Sequence, residues 1–290
     1  MKILFIACYS PLINNSASIE TLQYLNNLSE DGNEVHLLTV DFPKNSVYYD
    51  EYIFSMLNKD IKVHIVSGGK LFEKVMPKKS NKITPVKKIT LKIKVLRKIK
   101  NLIAIPDMYY NWSKKASEYG IQLMGKENFD VMFSMHEPPS SHICAYNIKR
   151  KYKNLEWVTY FSDPWLKDST RENNFILRKK IEENFEKKII TTADRFIFVT
   201  EENRLDYMES YNLPSNRTFV VTRGYDEALY NEIKLMDEPS LINKGKINIV
   251  YAGEIFSKLR DINPFIEALI DIKKKDIAFY NRLNILFFGN

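Results

Sequence analysis

Trp157-Val158-Thr159-Tyr160-Phe161-Ser162-Asp163-Pro164-Trp165 has the pattern of a strand around which the rest of the chain is organised. Its β-branched and aromatic residues suit a buried strand. The strand stops at Asp163-Pro164, because proline brings no N–H to a ladder and restricts the residue before it. In a parallel α/β sheet, the residues that follow such a strand emerge on the side where ligands bind. Ser162, Asp163 and Trp165 are therefore expected at the rim of a cleft. A plainer reading stays open, in which an Asp-Pro turn is backed by a tryptophan that plugs the core.

The same pattern recurs on both sides of this stretch. A strand over 129–135 ends in His136-Glu137-Pro138-Pro139, again two prolines after an apolar run. His136 and Glu137 suit acid–base or hydroxyl-binding work there, or are turn residues with ordinary hydrogen bonds. The chain opens with a strand over 2–8 and a loop from Tyr9 to Ala17. Ile19, Leu22, Leu25 and Leu28 then recur at helical spacing, with Ser16 or Ser18 as the cap, Glu20 in the first turn and Gly32 at the end. A strand over 34–40 completes a strand–loop–helix–strand unit, the opening of a doubly wound sheet. The first loop, with Asn15, Ser16, Ala17 and Ser18, contains no glycine. Small polar residues can line a cleft, but the glycine-rich phosphate cradle is missing.

Further strands read over 61–66, 195–200 and 218–222, with a long polar helix over 171–192. Arg223-Gly224-Tyr225-Asp226 turns the chain out of the last of these strands. Pro239, Asn243 and Gly245 mark 236–245 as a linker. A second strand–loop–helix–strand unit starts at 246, so the reading is a first domain over 1–235 and the start of a second over 246–290. In that second unit Gly253 follows a strand directly, which permits close approach of a phosphate, and Lys258 or Arg260 can neutralise it.

The length of 290 residues fits two domains of roughly 150 residues each. A composition of 44% hydrophobic and 27% charged residues is that of a globular protein, and no apolar run approaches the ~18 residues of a membrane span. The opening apolar run is too short for a signal peptide. Cys8 and Cys144 form neither a disulfide framework nor a metal-ligand spacing, which points to a reducing, cytoplasmic compartment. The net charge of +7 is concentrated. Residues 70–100 hold twelve lysines and arginines against one acid, and the remainder of the chain is net acidic. Val86, Ile89, Ile93, Leu96, Ile99 and Ile103 trace a helical stripe through this segment, with Lys87, Lys88, Lys92, Arg97 and Lys98 around it. Three readings fit: a solvated helix face, a surface that docks on anionic membrane, and a nucleic-acid site. The third lacks a recognition motif and interleaved aromatics, so no nucleic-acid partner is expected.

Taken in order, several short motifs resemble the glycosyltransferase family 4-like group. They are the first strand with Gly32-Asn33-Glu34-Val35; Pro106-Asp107 with Trp112 and Ala116; Phe129-Asp130-Val131 leading to Pro138-Pro139-Ser140-Ser141-His142; and Ser162-Asp163-Pro164-Trp165. Ala193-Asp194-Arg195, Gly224-Tyr225-Asp226 and Tyr251-Ala252-Gly253 continue the set. The resemblance implies an α/β fold of GT-B type, with two Rossmann-like doubly wound parallel sheets, the second incomplete in this chain. It implies a nucleotide-sugar donor, a lipid-linked or glycan acceptor, no metal and no other cofactor. It further implies a role in bacterial surface polysaccharide synthesis, peripheral on the inner face of the membrane. By the same resemblance, Asp163 and Ser162 stand where many members carry a catalytic His-Asp pair. Asn15–Ser18 match the first-domain cleft loop, and Gly253, Lys258, Arg260, Arg223 and Gly224 match donor-binding positions. Ser162 replaces the histidine, and Arg223 stands where asparagine is usual. A later Glu–seven residues–Glu donor motif would fall beyond Asn290, so this chain as written is not expected to catalyse efficient transfer alone. A nucleotide-sugar epimerase or hydrolase of the same architecture and a non-catalytic membrane-surface module are the alternatives.

Overall fold

The computed structural model describes residues 1–79, 105–167, 176–237, 239–253 and 261–288. It divides after Gly224 into two compact units, Met1–Gly224 and Tyr225–Asn290. The composition of 236–245 places the boundary in that linker. In the structure the helix Glu227–Lys234 belongs to the second unit instead.

Seven strands build the first unit: β1 (Lys2–Ile6), β2 (Glu34–Asp41), β3 (Lys62–Ser67), β4 (Val131–Met135), β5 (Glu156–Phe161), β6 (Arg195–Phe198) and β7 (Thr218–Val220). All pair in parallel, in the order β3-β2-β1-β4-β5-β6-β7. The chain direction across the sheet reverses between β1 and β4. In a doubly wound sheet that is where a crevice opens at the strands' carboxyl ends.

Period-2 alternation sorts the core into two layers. Leu4 and Ile6 of β1 and Trp157 and Phe161 of β5 face one layer, with Trp112, Trp165 and Phe198. Ile3 and Phe5 of β1 and Tyr160 of β5 face the other, with Leu22, Leu25 and Phe133. Helices α1 (Ser16–Glu30), α2 (Glu51–Ser55), α3 (Lys70–Val75), α4 (Tyr110–Met124), α5 (Ser140–Lys151), α6 (Ile176–Thr192) and α7 (Glu201–Tyr211) cover the sheet. Trp112, Trp157 and Trp165 are fully buried, and each such side chain contributes roughly 1.5–3 kcal/mol by leaving water.

Two local expectations are corrected. Helix α1 begins at Ser16, and its cap is Asn15, whose side chain accepts from Ser18 N at 2.7 Å. Asn15 holds extended backbone, which lets its short amide reach back to that donor, whereas Ser16 and Ser18 already lie inside the helix. Glu20 lies beyond the first turn, so its carboxylate answers to tertiary partners instead of the helix end.

The second unit holds α8 (Glu227–Lys234), β8 (Ile247–Ala252), α9 (Asn263–Lys275), α10 (Ile277–Asn281) and β9 (Leu283–Phe288). β8 and β9 pair in parallel with Ile249 opposite Ile285. Pro264 sits in the first turn of α9, where its missing N–H costs nothing. Among the described residues no helix is long and apolar enough to cross a membrane. Lys87, Lys88, Lys92, Arg97 and Lys98 lie outside the described residues, as do Lys258 and Arg260.

Candidate functional site

β5 delivers two neighbouring side chains to different places. Phe161 turns into the core, while Tyr160, on the α1 face, sends its hydroxyl to the Glu20 carboxylate. Glu20 and Tyr24 are four apart on α1 and share a face. The Tyr24 ring packs edge-on against Tyr160 at 5.2 Å between centroids. The second claim on Glu20 comes from Arg223, three residues past β7, whose Nε donates to Glu20 Oε1 at 3.1 Å. Arg223 Nη2 lies 3.8 Å from Asp163 Oδ2.

Burial separates the roles within this group. The Glu20 side chain is 13% exposed, so it is an inner anchor. Those of Arg223 and Asp163 are 53% and 57% exposed and face solvent. Burial pulls the guanidinium down, but the Glu20 and Asp163 charges outweigh it and its pKa is raised. Burial, followed by the bond to Glu20, pushes the Tyr160 phenol up. The group therefore presents a permanent cation and an exposed carboxylate on a neutral tyrosine base.

Of the candidates named from sequence, Asp163 and Arg223 are brought together. Ser162 turns inward, its Oγ donating to the His136 carbonyl at 3.0 Å. His136 is 1% exposed, its ring among His142, Phe161 and Trp165. It lies in the aromatic core because rings from α5, from β5 and from the segment after β5 pack around it, which its local sequence does not reveal. Trp165 is also buried, which corrects its expected place at the rim. Its backbone N–H donates to Tyr207 Oη at 3.1 Å, which pins the segment after Asp163.

Glu137, two residues past β4, is half-buried. Burial first, then the Glu137 and Asp107 charges, push the Tyr9 phenol up, which places these groups together at the point where strand order reverses. Asp107 caps α5, accepting from Ser140 N at 3.0 Å and Ser140 Oγ at 2.7 Å. Ser141 Oγ accepts from Cys8 N at 3.0 Å. Ser141 thus ties α5 to the chain just after β1, and Asp107 ties it to the segment before α4. Ser16 is exposed and Ser18 buried.

Gly224 has an ordinary backbone, and a Cβ there would meet open space, so nothing local demands glycine. Gly253 does need its freedom, at φ 146°, but its N–H already donates to the Phe288 carbonyl at 2.8 Å. That amide joins β8 to β9 and is not turned to a phosphate.

Glu20 was missed by sequence reasoning because it reads as a helix-dipole carboxylate. The available signal was its four-residue spacing from Tyr24 beside the first loop. At the opposite, amino-terminal end of the sheet, Glu34, His36 and Glu127 converge closely enough to share a cation. Lys2 contacts both carboxylates and Lys62 Nζ lies 2.6 Å from Glu34, so two ammonium groups already supply that charge.

No protein-family model matches the chain, and no curated protein sequence matches it. Solved structures do. The N-terminal domain of Candida albicans trehalose-6-phosphate phosphatase is similar with a TM-score of 0.61 at 12% identity, over 99% of this chain and 64% of that one. A trehalose-6-phosphate protein of E. coli, bound with UDP-2-fluoro glucose, has a TM-score of 0.58 at 10% identity, over 100% of this chain and 64% of that one. S. aureus TarM, in complex with fondaparinux, α-GlcNAc-glycerol and UDP, has a TM-score of 0.55 at 12% identity, over 99% of this chain and 72% of that one. The chain thus spans less than two thirds of the length of the first two. The likeness shows a GT-B-like, Rossmann-type α/β architecture.

Proposed function

We propose that this chain acts on nucleotide sugars as a glycosyltransferase of the family 4-like group. It moves a sugar from a nucleotide-sugar donor to a glycan or lipid-linked acceptor, as in the building of bacterial surface polysaccharide. The observation that carries the reading is the Glu20–Arg223–Asp163 group at the strands' carboxyl ends, in a sheet of this topology. It is supported by the fold shared with TarM and with the E. coli protein bound to a UDP-sugar analogue.

Glycosyl transfer needs charge stabilisation as the diphosphate leaves and a hydroxyl held in line. Arg223 supplies a fixed cation and Asp163 an exposed acceptor for a sugar or acceptor hydroxyl. Lys258 and Arg260 are the second unit's candidates for the donor side, the Gly253 amide being committed to the β8–β9 pairing, and the reading calls for no metal or other cofactor. The Lys-rich segment, with twelve basic residues over 70–100, suits a membrane-associated acceptor.

Product analysis with a radiolabelled sugar nucleotide tests the reading. Label appearing in a lipid or glycan fraction only when acceptor is present is the expected result. An epimerised or hydrolysed sugar formed equally without acceptor would replace it with the epimerase or hydrolase alternative. No turnover, with vesicle binding intact, would favour a membrane-surface module.

A further inference from the structure

Arg223 carries a planar fork of donors, and the two edges of that fork are held unequally. Nε is hydrogen-bonded at 3.1 Å to Glu20, a largely buried carboxylate that Tyr160 also fixes. The outer edge meets Asp163 only at 3.8 Å, beyond hydrogen-bond reach, and both of those side chains are more than half exposed. A guanidinium matches a phosphate oxyanion through two parallel N–H bonds, which are shorter and stronger than this loose pair.

We propose that Arg223 is a phosphate clamp, that Glu20 is the positioning residue that aims it, and that Asp163 is an internal competitor which an arriving phosphate displaces. Displacement frees the Asp163 carboxylate to accept a bond from a sugar or acceptor hydroxyl. Phosphate binding and hydroxyl binding are thereby coupled through one side chain. The phosphate belongs to a nucleoside diphosphate or to a phosphorylated acceptor. Only that choice of carrier rests on the transferase reading, since the clamp itself rests on the geometry around Arg223.

The pairs differ in their electrostatic consequence. Removing the Glu20 charge releases the inner edge and lets the fork wander, so phosphate affinity falls. Removing the Asp163 charge takes an anion away from the outer edge, so phosphate affinity rises. A merely structural ion pair would not produce these opposite signs.

The test is calorimetric titration of the full chain with inorganic pyrophosphate, UDP and glycerol phosphate at low and moderate salt. Asp163→Asn should bind pyrophosphate about 3–10-fold more tightly than the parent protein. Glu20→Gln should bind it about 3–10-fold more weakly, and Arg223→Gln at least tenfold more weakly, with unchanged circular dichroism. Arg223→Lys should recover only part of the loss, because an ammonium lacks the fork. Dependence on Arg223 for UDP but not glycerol phosphate assigns the clamp to the donor, and the reverse assigns it to the acceptor. Absence of pyrophosphate binding in the parent, unchanged affinity in Arg223→Gln, or weaker or unchanged binding in Asp163→Asn overturns the proposal. Sugar transfer that persists with such a result sinks the clamp and spares the transferase reading. The expected affinity order without any nucleotide-sugar turnover does the opposite.

Discussion

Arg223 Nε and Glu20 Oε1 meet at 3.1 Å although 203 positions separate them in the chain. This contact ties the segment after the edge strand β7 to the helix after β1, an inner strand of the same sheet. Glu20 also receives the Tyr160 hydroxyl, so three elements depend on a single carboxylate.

Asp163→Asn should lower sugar transfer about tenfold or more while leaving the melting temperature within a few degrees. Its side chain is more than half exposed and makes only a loose pair with Arg223, so little stability rests on it. Paired measurements of turnover and thermal unfolding decide this. A melting temperature that drops well beyond a few degrees with turnover intact would make Asp163 structural.

Glu20→Ala should cost stability as well as activity. It leaves the Tyr160 hydroxyl and the inner edge of Arg223 without their acceptor, a penalty of about 1–3 kcal/mol for a part-buried group. Glu20→Gln keeps an acceptor and should recover most of that loss in urea unfolding. If both variants unfold at the parental midpoint, Glu20 anchors nothing.

Trp165→Ala should destabilise by about 3–5 kcal/mol, since the ring is fully buried among aromatics and its removal leaves a cavity. Two residues from Asp163, the effect on stability is therefore expected to be opposite in kind. A small change in denaturant midpoint would place the ring nearer the surface than the structure has it.

Acid should weaken the first unit through His142. Burial pushes this imidazole down to about 3 from its ordinary 6.5. Its Nδ1 lies in hydrogen-bond contact with Ser134 Oγ at 2.7 Å, and that oxygen accepts from Trp157 Nε1 at 2.8 Å. Between those two pH values the unfolded chain binds a proton that the native chain refuses, so stability is full above about 6.5 and falls as pH drops toward 3. His142→Gln should flatten that part of the stability–pH curve in urea titrations, even if it lowers the plateau. A slope as steep as the parent's would mean that another group is responsible.

The Lys-rich segment should bring the chain to anionic vesicles in a salt-sensitive way, since each basic residue near such a surface contributes ~1 kcal/mol. Replacing Lys87, Lys88, Lys92, Arg97 and Lys98 with Gln should abolish co-sedimentation with anionic vesicles. Equal binding to neutral and anionic vesicles would exclude an electrostatic dock.

The sheet was legible in the sequence because strand formation is local. Apolar runs such as those around Phe5, Phe133 and Tyr160, each ended by proline, glycine or a polar turn, mark strands whatever lies beside them. Their alternation with helical spacings implied parallel pairing, and the strand register follows it. Asp163 was legible too, because Pro164 ends a strand wherever that strand sits in the sheet. Whether a polar residue beyond a strand faces solvent or core was not legible. Asp163 and Trp165 are two apart, yet one is open and the other buried; His136 looked like Asp163 in sequence and lies in an aromatic core. That choice depends on what packs above the turn, here α6, α7 and the Tyr207 hydroxyl, which arrive from far along the chain. The meeting of Glu20 with Arg223 belonged to tertiary structure alone. A charge pair across 203 positions leaves no local pattern, and only the assembly of the sheet from β1 to β7 brings its two ends within hydrogen-bond reach.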